Sequence, residues 1–463
     1  LVRGGTVEKG RFGTDSFKDF VEEVVATEND HDWIDAGTGK DASIDVDLAN
    51  NSLKVSGIPG VGEASFDVYD FEHVKGSENA DTIKGNFAAN ELLGQAGDDQ
   101  IKGGSGNDTI SGGAGNDSLY GETGADTISG GSGNDSIDGG TGDDAIDAGS
   151  GDDTVMGSVG DDTITFGAGS DTVDYSNVRR DIRLIRGGSV TKGRLGTDTF
   201  TDVFSKIVGT KRSNDWIDAS TGSTANLDID LSSGKLKINN IPGIGKIDAT
   251  VSAFEHIAGS QNADKLVGDS RNNILQGNGG NDTIDGGAGN DTITVLAADG
   301  ASVTTGSGQD TVVITSDYWK KASQSGASAI TINDFSTGKG GDLLDLSDLF
   351  KSAIAFDGVS SQPVEFGYLA FEKVGNDVSL SFDADGDLGN KFSDVTIAIL
   401  KNTKRTEFKS ANFNPAFDVP RPRIVGTIFA DRINGTDEGE DIYGLLGTDL
   451  INGQGGDDWL YGD

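Results

Sequence analysis

The chain has no cysteine, one methionine, three histidines and six prolines in 463 residues. Without cysteine, disulfides, thiolate nucleophiles and thiolate metal sites are all excluded. Hydrophobic residues are 34 % of the chain and aromatics 7 %, too little for one large globular core. No apolar run approaches the roughly 18 residues of a membrane-spanning helix. Positive charge is scarce as well, with 36 Lys and Arg against 76 Asp and Glu and a net charge of -40. A phosphate backbone would be repelled, which argues against nucleic-acid binding.

Glycine is abundant instead, at 71 residues, and only 15 of the 76 acids are Glu, leaving 61 Asp. Short carboxylates beside glycine suit turns and oxygen-ligand sites. An Asp recurs every nine residues at Asp99, Asp108, Asp117, Asp126, Asp135, Asp144, Asp153, Asp162 and Asp171. Two residues after each comes an aliphatic, from Ile101, Ile110 and Leu119 through to Ile164 and Val173. A period of nine does not match a helix, and the glycines oppose one. It does match a short strand plus a tight turn with one inward side chain. Two units per coil let facing rows of Ile, Leu and Val share a thin core. The fold class expected is therefore all-β, a parallel β-roll or β-helix solenoid in several blocks, with an inserted β-rich domain.

Coiling also stacks the acids. Residues 18 apart in sequence, such as Asp108 and Asp126, lie on one edge of successive coils at about 4.8 Å. Stacked anions repel and lose hydration, so they require cations between them. Carboxylates and glycine carbonyls are hard oxygen donors and select calcium over zinc or iron. The candidate metal set is the nine Asp above with the turn glycines Gly103, Gly104, Gly106, Gly112, Gly113, Gly115, Gly130, Gly131, Gly133, Gly139, Gly140 and Gly142. Asp282, Asp291, Asp310, Asp449 and Asp458 extend it in later blocks, and the run Asp383, Asp385, Asp387 is a further candidate. Nine successive turns give seven pairs (9 minus 2), so at least six calcium ions are expected, mostly within residues 94–171.

Units such as GGSGNDTIS and GGAGNDSLY resemble the repeats-in-toxin nonapeptides, GGxGxDxUx, of calcium-filled β-rolls in secreted bacterial proteins. The resemblance implies that the first six positions form a calcium turn and the last three a strand. It also implies several Ca2+ ions as cofactor and export by type I secretion machinery. Departures are Glu122 and Ser158 at the second glycine and Asn90 and Asn273 in place of Asp, edges expected to bind weakly or not at all. An extra residue in LAADGASV predicts a bulged turn before Asp310.

A larger duplication encloses the blocks. GGTVEKGRFGTD from Gly4 matches GGSVTKGRLGTD from Gly187, an offset of 183 (187 minus 4), as do both copies of DWIDA, IPG and FEH. The expected organisation is an irregular β-helical entry module at 1–80, a β-roll block at 81–176, a second entry module at 177–263 and a second block at 264–315. A β-rich domain at 316–412, a Pro-containing linker at 413–424 and an incomplete third block at 425–463 follow. The entry modules read as wider coils, with Trp33 and Trp216 as core fillers. Phe17–Thr27 is open to helix or strand, and its partner near Gly209 favours strand. The segment Ala329–Phe350 resembles one found near the ends of type I secreted proteins. The chain starts without Met and stops within a nonapeptide, so a longer parent is expected.

No enzyme is expected. The duplicated Glu–His pairs ending in His73 and His256 point to opposite strand faces, and there is no HExxH helix. The leading reading is an extracellular calcium-binding structural module that folds and stiffens with calcium, part of a surface-layer or large cell-surface protein. The alternatives are an adhesin segment contacting glycans or another surface, and the non-catalytic carrier portion of a secreted toxin or polysaccharide-modifying enzyme. Besides calcium, the candidate partners are other copies in a surface lattice, cell-surface polysaccharide and the type I export machinery, with no nucleic acid and no membrane span.

Overall fold

The computed structural model describes residues 6–8, 14–16, 23–26, 32–37, 42–58, 62–186, 188–221, 225–241, 244–296, 300–317, 320, 328–351, 363–364, 367–384, 394–417, 419, 423–425, 432–435, 439–445, 450–454 and 457–462. They form two compact units, Leu1–Ala219 with Ser233–His256, and Ser220–Ser232 with Ile257–Asp463.

In the first unit the nonapeptides coil as their period requires. Strand Gln100–Ser105 lies parallel to Ser118–Thr123, matching Ile101 to Leu119, and Thr109–Ala114 lies parallel to Thr127–Ser132, matching Ile110 to Ile128. Each aliphatic is flanked by outward residues, so it alone enters the core: Ile101, Ile110, Leu119, Ile128, Ile137 and Val155 are at most 1 % exposed. Strands such as Thr109–Ala114 and Thr127–Ser132 run to six residues, because the turn pairs too, with Gly113 opposite Gly131 and Ala114 opposite Ser132, while Ser136–Asp138 and Thr154–Met156 keep to three.

Glycine is needed in the turn for two different reasons. Gly113 and Gly115 have φ of 110° and 134°, a region that L side chains avoid. Gly112 has no such φ. A methyl group there would collide with the Asp117 carboxylate and the Gly130 carbonyl oxygen.

The entry modules are wider coils. In the first, Ile34 pairs with Val74 and Val46 with Ile83, and the additional chain loops out as antiparallel strands Ser43–Asp47, Ser52–Ile58 and Gly62–Tyr69. The corresponding hairpin in the duplicate is Lys235–Ile241 with Gly245–Ser252. Glu23–Val25 is a strand parallel to Asp67–Tyr69. The tryptophans depart from the sequence reading. In Trp-Ile-Asp the strand alternation sends Ile34 and Ile217 inward, leaving Trp33 and Trp216 half-buried. They pack on His73 and His256 with ring centroids at 5.0 and 4.9 Å.

The second unit repeats the pattern through Leu266, Ile284 and Val303 in one parallel sheet and Leu275, Ile293 and Val312 in the other. Its β-rich segment grows directly out of the coils. Ile330–Ile332 and Leu343–Asp345 each add to a parallel sheet. The antiparallel strands Leu369–Val374, Asp377–Phe382 and Val395–Leu400 then return to pair with Ile330–Ile332. The first residues of the expected linker are packed, not spacer: Phe413 and Phe417 are each 2 % exposed and stack at 4.3 Å, burying aromatic area that the prolines alone do not reveal. In the last block Ile433 and Ile442 are buried and Leu460 is 52 % exposed.

Because Ile128 touches the rows above and below it, Ile128→Ala should lower the stability of the calcium-loaded chain by about 2–5 kcal/mol. The neighbouring outward Thr127→Ala should change it by less than about 0.5 kcal/mol. Urea unfolding in excess calcium measures both, and equal effects would contradict the assigned faces.

A candidate calcium ladder

The Asp of each turn is nearly sealed from solvent, at 1–3 % exposure from Asp99 to Asp171. One carboxylate oxygen always does the same work. The amide of each residue in the row donates to Oδ1 of the acid 18 positions later: Asp81 to Asp99, Asn90 to Asp108, Asp99 to Asp117, Asp108 to Asp126 and so on to Asp153 and Asp171, at 2.7–3.1 Å. Two ladders result, one on each edge of the roll.

The other oxygen has no such partner. Oδ2 of Asp99, Asp108, Asp117, Asp126, Asp135, Asp144 and Asp153 is buried without a hydrogen bond, and so is Oδ2 of Asp291 and Asp310. A buried ionised oxygen without a partner is strongly unfavourable. In the first block Oδ2 faces the Cα of a glycine five residues earlier, where a Cβ would strike it: Gly103 for Asp108, Gly112 for Asp117, Gly130 for Asp135 and Gly139 for Asp144. The carbonyl oxygen of a glycine in the following coil faces the same space, such as Gly121 beside Gly103 and Gly130 beside Gly112. Bare carboxylate and carbonyl oxygens converging on a space without a side chain fit a hard divalent cation. Among the described residues no group of three or more His, Cys, Asp or Glu gathers. The oxygens that face each of these spaces are a carboxylate and a backbone carbonyl, hard donors of the kind calcium takes and unlike the nitrogen and sulfur of a zinc site.

Without metal the acids resist ionisation. Burial pushes Asp99 up to about 8, with the charges of Asp81 and Asp117 adding and the hydrogen bond from the Asp81 amide opposing. The same cause raises Asp144 and Asp291 to about 7 and Asp108, Asp135 and Asp310 to about 6. Burial also raises Asp117, Asp126, Asp153 and Asp171.

In the second unit Asp264, Asn273 and Asp291 donate to Asp282, Asp291 and Asp310, the last across 19 residues. The ladder therefore survives the extra residue, whose surroundings at 297–299 lie outside the described residues. In the third block Glu440 donates to Asp458, while Asp449 lies outside them. Of the Asp383 run, only Asp383 is described, its amide donating to the Tyr368 carbonyl at 3.0 Å. Asp385 and Asp387 lie outside the described residues.

The departures separate into two kinds. Glu122 keeps the left-handed turn at φ 72° and Asp126 Oδ2 stays bare. Asn90 instead satisfies itself, Oδ1 accepting from Asn86 and Nδ2 donating to the Glu72 carbonyl. Asp81 and Asp264 take amide and hydroxyl bonds from Ser77 and Ser260, four residues earlier.

Several working residues are not evident from the repeat. Glu72 and Glu255 accept the amides of Asp32 and Asp215 across the wide coils, so the acid of each Phe-Glu-His is a ladder rung. An outer ladder runs in the opposite direction through Asp98, Asn116, Asn134 and Asp152, each accepting the amide 18 residues later. Its sequence signal is the Asn or Asp that precedes these metal-row acids. In the segment after the second block, Asp342 accepts the Asp310 amide, and Asp334 accepts those of Thr305 and Gly306.

A model of the RTX calcium-binding nonapeptide repeat matches residues 75–110, 102–137, 138–173, 259–293 and 434–463. No curated protein matches the chain. Among solved structures, a subunit of the Azotobacter vinelandii mannuronan C5-epimerase is 20 % identical over 33 % of this chain and 78 % of its own, with a TM-score of 0.25. The extracellular lipase of Serratia marcescens is 14 % identical over 60 % of this chain and 39 % of its own, with a TM-score of 0.16.

The raised acids set opposite pH trends with and without metal. A carboxyl whose folded value exceeds its unfolded value near 3.8 stabilises the metal-free fold below that value and loses the contribution as pH rises through the folded value. The loss runs from about pH 4 to about 8 for Asp99, to about 7 for Asp144 and to about 6 for Asp108 and Asp135. Calcium needs the ionised form, so acid displaces it. In chelator, β-sheet circular dichroism should strengthen as pH falls from about 8 to about 5.5; in limiting calcium it should weaken. Trends of the same sign would contradict this assignment.

Proposed function

We propose that this chain, which carries RTX calcium-binding nonapeptide repeats within residues 75–173, 259–293 and 434–463, is an extracellular structural segment of a surface-layer or large cell-surface protein, exported unfolded by a type I machinery and stiffened by calcium outside the cell. The observation that carries the calcium dependence is the row of buried Oδ2 atoms from Asp99 to Asp153. Calcium binds the assembled turns and scarcely the unfolded chain, so it supplies folding free energy by linkage. Extracellular modules take calcium at about 10⁻⁴–10⁻³ M, above cytosolic supply, so the same chain is loose before export and rigid after it.

We assign the chain no catalysis of its own. His73 and His256 are used in packing on tryptophans, His73 Nδ1 also accepts the Glu91 amide, and His31 lies outside the described residues. The buried acids from Asp99 to Asp171 are used in the ladders. Among the described residues no helix is long and apolar enough to cross a membrane.

Circular dichroism during a calcium titration tests the folding step. The β signal should appear cooperatively with calcium and not with equal magnesium, whose small octahedral shell suits these carbonyl-rich turns poorly. A full β spectrum in chelator, or equal folding by magnesium, would contradict it. Electron microscopy of the calcium-loaded chain tests the surface role, with ordered two-dimensional arrays expected and a dispersed monomer counting against a lattice.

A further inference from the structure

On one edge of the first block the ladder runs Asp108, Asp126, Asp144, Asp162, and then reaches Asp198 across 36 residues, the Asp162 amide lying 3.4 Å from Asp198 Oδ1. From Asp108 to Asp144 every Oδ2 on this edge is bare. At Asp162 the pattern changes, since Oδ2 lies 3.2 Å from Lys192 Nζ and 3.0 Å from Ser158 Oγ. The same ammonium pairs with Asp198 Oδ1, and Asp198 Oδ2 accepts the Tyr175 hydroxyl at 2.7 Å. The side chains of Lys192 and Asp198 are 0 % exposed and that of Asp162 is 2 % exposed.

A lysine is almost never fully buried unless paired, and here the local fold places it. Strands Ser189–Thr191 and Thr197–Phe200 form an antiparallel pair, with the Lys192 amide donating to the Gly196 carbonyl at 2.8 Å. This closes Lys192 over the ladder. The glycine that should face Asp162 is Gly157, and a Cβ there would meet the ring of Tyr175 rather than a carboxylate. Ring and ammonium together fill what is a bare cradle in the preceding coils. One cation still sits between acids of successive coils, but the chain supplies it.

We propose that Lys192 is a resident cation that takes the place of a divalent ion between Asp162 and Asp198, ends the calcium array on this edge, and lets this junction with the second entry module form without metal. The proposal rests on the calcium reading of the ladder. Ser158 takes part in the substitution: it stands at the second glycine position, as Glu122 does in an earlier turn, but its hydroxyl donates to Asp162 Oδ2, whereas Asp126 Oδ2 beside Glu122 stays bare. The duplicate carries the same pair in sequence, Lys9 and Asp15, at the offset of 183 (192 minus 9; 198 minus 15).

Bound calcium per full-length chain, counted after equilibrium dialysis at saturation, tests it in the wild type, K192A and D198N. K192A removes the ammonium and opens its volume, and it should bind one more calcium than wild type. D198N should bind the wild-type number, because Asp198 serves Lys192 and not calcium. A folded K192A chain with the wild-type count, or a D198N chain that loses an ion, overturns the assignment. Should K192A not fold, hydrogen exchange of the wild type in chelator decides. The amides of Asp162 and Thr199 should then exchange more slowly than those of Asp126 and Thr127, and equally fast exchange overturns the proposal. A wild type that binds no calcium would instead defeat the calcium reading of the ladder, a result distinguishable from either.

Discussion

Everything in this protein depends on how one carboxylate divides its two oxygens. Oδ1 takes the backbone amide of the acid one coil back, which fixes the register of the turns to that of the strands. Oδ2 is thereby aimed into a space bounded by a glycine Cα and a carbonyl, where it has no hydrogen-bond partner. The same contact that builds the solenoid therefore creates its need for a cation. A core of one aliphatic per nine residues buries little apolar area per ordered residue, so ordering entropy is not offset by burial alone. The balance is left to an outside ligand, and that makes the structure switchable.

Where that demand must stop, the chain substitutes its own donors. Ser77 and Ser260 bond Asp81 and Asp264 at the entrances of the first two blocks, Asn90 turns its amide to the Glu72 carbonyl, and Lys192 lies between Asp162 and Asp198. Beyond the second block Asp334 and Asp342 accept turn amides. The wide coils keep the rung geometry with Glu72 and Glu255 while doing without bare oxygens at those acids. The metal-dependent and metal-independent parts thus share one hydrogen-bond plan and differ in what occupies the second oxygen.

The period of nine is enough to read the coil, the inward row from Ile101 to Val173 and the stacking of Asp108 on Asp126, because each depends only on neighbours in a regular repeat. The glycines are legible as turn residues, but not their two separate reasons, which need the following coil in view. Lys192 is invisible in the sequence because it reaches Asp162 from 30 residues away through an irregular hairpin. The glutamates of Phe-Glu-His carry no local signal of their role, since their partners lie 40 residues back. Size alone places the tryptophans inside, whereas strand alternation gives that position to Ile34 and Ile217. Phe413 and Phe417 are masked by the prolines around them, although they close an aromatic cluster with Phe371 and Phe408.

If the bare Oδ2 atoms of the first block are calcium ligands, the metal must lie beside them in the loaded chain. Anomalous diffraction from crystals of the full chain grown in calcium measures this directly. A row of anomalous peaks is expected along both edges, each within calcium–oxygen distance, about 2.3–2.6 Å, of an Oδ2 from Asp99 to Asp153, with no peak between Asp162 and Asp198. An ordered first block without peaks beside those oxygens would contradict it.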